Sequence, residues 1–151
     1  RRDCQEAAKT LILGSVGRVY IITQRLESEL YNDVEIYDHL SRLATTNRHT
    51  DIRIITHDTR VAANQGHYLI QLAQRLPTFA QIRATVTQEH RNFRESWLSA
   101  DDSAYMRIRN PERFEGYYEI DNKLECRSYC DDFVEMWEAC DQDQNTRRLN
   151  L

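Results

Sequence analysis

The chain has 151 residues, of which 40% are hydrophobic, and its formal net charge at pH 7 is −4. This is the length of one ordinary domain, which buries roughly two-thirds of the surface that its unfolded chain exposes. The longest apolar runs, such as residues 19–22, are far shorter than the roughly 20 residues that cross a bilayer. We therefore expect a cytoplasmic domain with no membrane partner. The chain opens with Arg1 and Arg2 instead of methionine, which suggests part of a longer protein.

The charge is distributed unevenly along the chain. Residues 110–143 contain eleven acidic and three basic residues, a balance of −8, so the remainder carries +4. Eighteen of the 20 basic residues are arginine, whose planar guanidinium group suits bidentate contact with phosphate or carboxylate. The net acidity argues against nucleic acid as a partner, but it is compatible with one pocket lined by arginine.

The first part of the chain alternates helices and strands. Apolar residues at helical spacing predict a helix over residues 4–13. Residues 18–23 form a continuous β-branched and aromatic run, typical of a strand buried on both faces, and residues 51–58 form a second one. Between them a helix is predicted from Asn32, because Asn32 and Glu35 have the spacing of a capping box.

A second crossover follows the same pattern. Residues 62–76 have an apolar helical face that includes Gly66, and Pro77 ends this predicted helix. The alternation of apolar and polar residues over 81–87 predicts a third strand. Two strand-helix-strand crossovers predict a parallel sheet in this part of the domain.

The pattern then changes to short strands. The predicted elements are strands at 95–100, 104–109 and 117–120 and a closing helix at 123–140. Residues 101–103, Asp-Asp-Ser, supply the turn of a hairpin. The order of elements predicts an α/β fold with three layers, α/β/α, and a mixed, partly parallel sheet over residues 1–141. Residues 142–151 are predicted to form a loose tail.

The cysteines favour a reduced core over a metal site. Cys126, Cys130 and Cys140 fall on the closing helix with Phe133 and Trp137 between them, at the spacing of a buried helical stripe. Zinc ligands usually come together from turns with tighter spacing. We therefore predict buried free cysteines, no metal site and no cofactor.

Candidate ligand-binding residues follow the first two predicted strands, because ligands of open α/β sheets bind at the carboxyl ends of parallel strands. They are Gln24, Arg25, His57, Asp58, Thr59 and Arg60, with His67 on the next helix. Arg25 and Arg60 could hold an anion while Asp58 orients an arginine or a histidine, whose ordinary pKa suits proton transfer. In the alternative interpretation, Asp58 and Thr59 cap the next helix, Arg60 pairs with a surface acid and His67 packs on the sheet.

The order of elements and the hairpin at 95–109 resemble one half of a phospholipase D-type phosphodiesterase. In that family each half supplies a His-x-Lys-x-x-x-x-Asp motif, in which the histidine attacks phosphorus and the lysine holds the phosphate oxygens. Aligning Asp101 with the motif aspartate places Arg94 at the histidine position and Ser96 at the lysine position. Because arginine cannot act as the nucleophile and serine carries no charge, the resemblance implies the fold without this nucleophilic chemistry.

Four stretches resemble, more specifically, an uncharacterised bacterial domain assigned to the phospholipase D-like superfamily. They are HDTRVAANQGHYLIQLAQRLPT, FRESWLSADDSAYMRI, RFEGYYEIDN and DDFVEMWE. The resemblance runs from about Leu11 to Trp137. Such domains occur alone or downstream of GNAT-type acetyltransferase domains, but the four glycines of this chain do not form the loop that binds the pyrophosphate of acetyl-CoA.

These observations lead to three hypotheses. The first is a non-catalytic phospholipase D-like domain that binds an anionic, phosphate-type small molecule or mediates assembly. Its candidate ligand-binding residues are Arg25, His57, Asp58, Arg60, His67 and Arg94. The second is a hydrolase, a phosphodiesterase that uses His57 or His67 in a non-standard His/Asp/Arg site. The third is an accessory interaction domain of an acetyltransferase-type protein, with the acidic closing helix, Tyr117 and Tyr118 as a partner or homodimer surface.

Overall fold

The computed structural model describes residues 2–113, 115–119 and 122–146. Its helices are α1 (Arg2–Leu13), α2 (Ser28–Tyr31), α3 (Val34–Thr46), α4 (Arg60–Gln65), α5 (Tyr68–Arg75), α6 (Gln88–Arg91) and α7 (Lys123–Glu138). Its strands are β1 (Arg18–Thr23), β2 (Asp51–Thr56), β3 (Ala80–Ala84), β4 (Ser96–Ala100), β5 (Ala104–Asn110), β6 (Glu115–Glu119) and β7 (Asp141–Gln142). None of these helices is both long enough and apolar enough to cross a membrane.

One mixed sheet joins the strands in the order β6-β5-β4-β1-β2-β3-β7 within the described residues. The strands β1, β2 and β3 are parallel neighbours, as the two predicted crossovers require. The strand β4 pairs antiparallel with β1, and β5 and β6 continue as antiparallel neighbours. The prediction of a mixed, partly parallel sheet is confirmed.

Helices cover both faces of the sheet, so the predicted three-layer arrangement is also confirmed. Val19 and Ile21 of β1 belong to a core shared with α1, α3 and α5. The alternate residues Tyr20 and Ile22 belong to a second core, which is shared with α7. This division follows from the pleat, since successive side chains of a strand point to opposite faces.

The face of α7 that contacts the sheet is the predicted stripe of cysteine and aromatic residues. Cys126 and Cys130 are buried free thiols in the second core, with Phe133 and Trp137. The rings of Tyr20 and Phe133 stack with their centroids 4.5 Å apart. The cysteines therefore act as small apolar core residues.

The turn between β4 and β5 lies at the end of the sheet where β1 begins. The carboxylate of Asp101 accepts hydrogen bonds of 2.9, 3.0 and 2.9 Å from the backbone N–H groups of Val16, Gly17 and Arg18. Asp101 and Asp102 both have left-handed backbone conformations, with φ of 56° and 58°. Aspartate tolerates this conformation in turns, so the acidic pair serves the hairpin.

The predicted start of α3 is wrong by one residue. The N-cap is Asp33, whose carboxylate accepts hydrogen bonds from the backbone N–H groups of Glu35 and Ile36. The side chain of Asn32 instead accepts a 2.9 Å bond from the backbone N–H of Tyr68. Both residue types cap helices well, so sequence alone did not discriminate between two adjacent candidates.

The single helix predicted over 62–76 is two helices, α4 and α5. Gly66 has a φ of 85°, a conformation that ends α4 and that glycine adopts without steric cost. His67 then caps α5, with its Nδ1 accepting a 3.1 Å bond from the N–H of Leu69. The apolar face continues across the break, which is why periodicity alone suggested one helix.

The structure also differs from the prediction of a loose tail from residue 142. Gln142 pairs with β3 as part of β7. Asp143 is buried, and it accepts a 2.7 Å bond from the hydroxyl of Thr59. Residues 147–151, and Ile120 at the end of the strand predicted at 117–120, lie outside the described residues.

Candidate functional site

An open cleft of about 970 Å³ lies at the carboxyl ends of β1 and β2. The start of β4 and the end of β5 also reach this edge, because β4 is antiparallel to β1 and β5 is antiparallel to β4. The residues that line the cleft are Gln24, Arg25, Glu27, Glu29, His57, Asp58, Arg94 and residues 109–112. Five predicted site residues are among them: Gln24, Arg25, His57, Asp58 and Arg94.

His57 has hydrogen bonds at both nitrogens of its ring. Its Nε2 lies 2.8 Å from the carbonyl oxygen of Phe93, and its Nδ1 lies 2.8 Å from the hydroxyl of Thr85. Because a carbonyl only accepts, Nε2 carries the proton and Nδ1 accepts from Thr85. Burial lowers the pKa of His57, the bond to Phe93 opposes this, and the positive charges of Arg94 and Arg91 lower it further. The ring is therefore a neutral bridge with no free lone pair.

The backbone on both sides of Arg94 is held in place. The Phe93 carbonyl accepts from His57, and it also lies 3.3 Å from the side-chain amide of Gln24. The same amide lies 3.3 Å from the carbonyl of Glu95, whose carboxylate receives two bonds from Arg107. The carbonyl groups of the two residues next to Arg94 are thus held by hydrogen bonds, while the side chain of Arg94 is exposed at the cleft.

Asp58 and Arg60 pair with each other. The carboxylate of Asp58 accepts from the backbone N–H of Arg60 at 2.9 Å and from its guanidinium group at 3.0 to 3.3 Å. The hydrogen bonds from Arg60 lower the pKa of Asp58. Arg60 does not line the cleft. This geometry is close to the alternative interpretation, in which Asp58 caps the following turn and Arg60 pairs with an acid.

His67 lies in the apolar core, outside the cleft lining. It is only 2% exposed, and this burial lowers its pKa to about 4. Its Nδ1 is already used by the cap of α5. The structure therefore separates His67 from Arg25, His57, Asp58 and Arg94.

Three exposed arginines line the cleft. Arg25, Arg94 and Arg109 are exposed, and within the described residues none of them makes an ion pair or a hydrogen bond. Arg109 was missed by the sequence analysis. The available signal was the hairpin itself: a second strand that returns parallel to β1 brings its carboxyl end to the same edge.

The loop that carries Arg25 has an unusual backbone. Leu26 is fully buried and has a φ of 57°, a left-handed conformation that is uncommon for a residue with a Cβ atom. The hydroxyl of Thr23 accepts a 3.1 Å bond from the N–H of Leu26 and donates to the carboxylate of Glu27. This turn directs Arg25 and Glu27 to the cleft, and such backbone strain is concentrated at functional sites.

The residues aligned with the phospholipase D motif have different surroundings. Arg94 reaches the cleft, whereas Ser96 is buried in β4 and Asp101 lies at the far end of the strand, in the turn. Among the described residues, no three His, Cys, Asp or Glu side chains are grouped as a metal site would require.

Three solved structures share this fold. TrmBL2, an archaeal chromatin protein whose structure shows a novel mode of DNA binding, has a TM-score of 0.64 and 12% identity over 93% of this chain. This chain spans about half of TrmBL2, 51% of its length. NucT from Helicobacter pylori has a TM-score of 0.62 and 15% identity, with 94% of this chain and 92% of NucT covered.

Nuc from Salmonella typhimurium, a phospholipase D family member, has a TM-score of 0.58 and 11% identity, with 90% of this chain and 88% of Nuc covered. At these identities the likeness concerns the fold, and it confirms the predicted phospholipase D-like architecture. A comparison with curated proteins gave no sequence match. A family model described as "Domain of unknown function (DUF7931)" matches residues 1–149, and the chain belongs to this family.

Proposed function

We propose that this domain binds a small phosphate-type anion in the cleft and does not hydrolyse it. The main support is that Arg25, Arg94 and Arg109 line one concave site and that none of their guanidinium groups is paired within the part of the chain that the structure describes. Guanidinium groups bind phosphate through paired N–H donors. The backbone next to Arg94 is already fixed, so binding loses less conformational entropy than it would on a mobile loop.

The hydrogen bonds of the cleft histidine favour binding over catalysis. A nucleophile or general base needs a free lone pair within reach of the substrate. Nδ1 of His57 accepts from Thr85 and Nε2 carries a proton. The carboxylate of Asp58 is likewise occupied by Arg60. The hydrolase hypothesis would require these bonds to rearrange.

Phosphate binding is tested by the melting temperature of the domain. At ten times the dissociation constant, bound phosphate stabilises the native state by about 1.4 kcal/mol, which for a domain of this size raises Tm by roughly 3 to 6 °C. We expect this shift in the native domain and its loss in an Arg94→Ala, Arg109→Ala double variant. Arg42→Ala is the matched control, because Arg42 is exposed on α3, away from the cleft. Equal shifts in all variants would contradict the proposal.

The absence of turnover is tested separately with bis(p-nitrophenyl) phosphate. We expect no release of nitrophenol above the rate in buffer. Release that disappears in His57→Gln would show that the histidine is catalytic and would replace the proposal with the hydrolase hypothesis.

Nucleic acid is tested as an alternative ligand in the same melting-temperature experiment. TrmBL2 is a DNA-binding protein of the same fold, so our expectation against nucleic acid lacks support from the comparisons. Four carboxylates also line the cleft, those of Glu27, Glu29, Asp58 and Glu112, and they would repel a polyanion. We therefore expect an oligothymidylate to bind less tightly than inorganic phosphate.

Assembly remains a second hypothesis. The side chains of Tyr117 and Tyr118, which were predicted to form a partner surface, lie outside the described residues. A homodimer and an association with an acetyltransferase domain stay predictions, and sedimentation at several concentrations tests the first of them.

A further inference from the structure

We propose that the ligand of the cleft is amphoteric: a phosphate ester whose other end carries an ammonium group. This inference rests on the proposed function, because it assigns the second half of the same ligand. It comes from the acidic side chains that share the cleft with the three arginines.

Two carboxylates of the lining are as free as the arginines. Glu29 and Glu112 are exposed, and within the described residues the carboxylate of neither makes an ion pair or a hydrogen bond. The other two acids have partners: Asp58 is occupied by Arg60, and Glu27 accepts from the hydroxyl of Thr23. The cleft therefore presents free groups of both signs.

A simple anion matches only half of this lining. Inorganic phosphate would contact the arginines and would lie in the field of Glu29 and Glu112, which opposes its binding. A nucleic acid strand would be repelled more strongly by these carboxylates, since each added nucleotide brings another phosphate and no cation. A ligand with an ammonium group satisfies the carboxylates and removes this repulsion.

The size of the cleft leaves space for the second group. Its volume of about 970 Å³ lies in the range of sites that take whole organic ligands, roughly 300–1,000 Å³. The free charges are also contributed by separate segments: Glu29 lies on α2 and Arg94 lies before β4, while Arg109 lies at the end of β5 and Glu112 in the turn that follows. Such a site recognises a molecule with separated charges through complementary positions.

The test compares three small phosphates by isothermal titration calorimetry: phosphoethanolamine, glycerol 3-phosphate and inorganic phosphate. Glycerol 3-phosphate has an organic part without a positive charge, so it separates the effect of charge from that of size. We expect phosphoethanolamine to bind about fivefold more tightly than the other two, the factor expected of one exposed ion pair.

Variants of the carboxylates then give changes of opposite sign. In a Glu29→Gln, Glu112→Gln double variant, phosphoethanolamine should lose its advantage while inorganic phosphate binds more tightly, because the repulsion is removed. The matched control is Glu135→Gln with Glu138→Gln, since both acids are exposed on α7 and neither lines the cleft. The control removes the same two negative charges from the domain. It should still bind phosphoethanolamine more tightly than inorganic phosphate, which would show that the position of the carboxylates and not the net charge decides the preference.

The outcomes distinguish this inference from the proposed function. If inorganic phosphate fails to bind the native domain at all, the proposed function is wrong and the inference falls with it. If phosphate binds but phosphoethanolamine is no tighter, or keeps its advantage in the Glu29, Glu112 variant, only the inference is wrong. An oligothymidylate that binds more tightly than phosphoethanolamine would also overturn the inference.

Discussion

His67 allows a quantitative test of how burial affects stability. Its side chain is 2% exposed, and desolvation lowers its pKa from 6.5 to about 4. The neutral ring also provides the N-cap of α5 by accepting from the N–H of Leu69. The unfolded chain therefore binds a proton more readily than the native state does, and stability must fall with decreasing pH.

The size of this effect follows from the two pKa values. The contribution of His67 is fully present above pH 6.5 and is lost as the pH falls toward about 4. Between pH 7.5 and pH 5 the loss is about 2 kcal/mol, from the ratio of the two protonation equilibria. The lowered pKa of His57 acts in the same direction, so the contribution of His67 has to be obtained by difference.

The assay is urea unfolding of the native domain and of His67→Asn at pH 7.5 and pH 5. Asparagine keeps a side-chain acceptor at the N-cap but does not titrate. We expect the native domain to lose about 2 kcal/mol more than His67→Asn over this interval. His49→Asn makes the same change at an exposed position and should follow the native domain. Parallel losses in the native domain and His67→Asn would refute the reasoning.

Three further substitutions test the backbone contacts around the site and the hairpin. His57→Leu should lower the free energy of unfolding in urea by about 1 to 3 kcal/mol, and it should weaken phosphate binding because the Phe93 carbonyl loses the donor that His57 supplies. Asp101→Ala should cost about 3 kcal/mol by the same measurement, since three backbone N–H groups lose a charged acceptor, whereas Asp101→Asn should cost less. Gly116→Ala should cost about 2 kcal/mol, because its Cβ would collide with the Arg107 carbonyl, and faster amide exchange in β6 would locate the damage.

The central strands were predictable because most of their side chains are buried in the core. Residues 19–22 are apolar or aromatic at every position, and β1 begins and ends at the predicted residues 18 and 23. The parallel pairing followed from the chain order, since each crossover is long and helical enough to return the chain to the same end of the sheet, even though two short helices, α4 and α5, form the second one. Helix boundaries depend instead on single polar residues, and there the sequence offered both Asn32 and Asp33.

The candidate site was predictable in position and only partly in composition. The rule about strand ends located Arg25, His57 and Asp58, all of which line the cleft. The roles of these residues depend on partners far along the chain, such as Phe93 for His57, 36 residues away. No local pattern encodes such a bond, which is why the sequence left His57 open as a base. Arg109 was missed because β5 was treated as hairpin packing and not as another strand that ends at the site.

The net charge of −4 is a poor guide to what the cleft binds. Exposed charges are screened beyond about 8 Å at physiological ionic strength, so the acids on α7 act weakly on a ligand at the edge of the sheet. Recognition is decided by the groups within a few ångströms, and there the free arginines outnumber the free carboxylates of Glu29 and Glu112. In the proposed complex, Arg94 would bind its ligand at a smaller entropic cost than an arginine on a mobile loop, because hydrogen bonds already hold the adjacent Phe93 carbonyl. An acidic domain can therefore bind a phosphate ester, provided that the ligand also satisfies the two acids beside it.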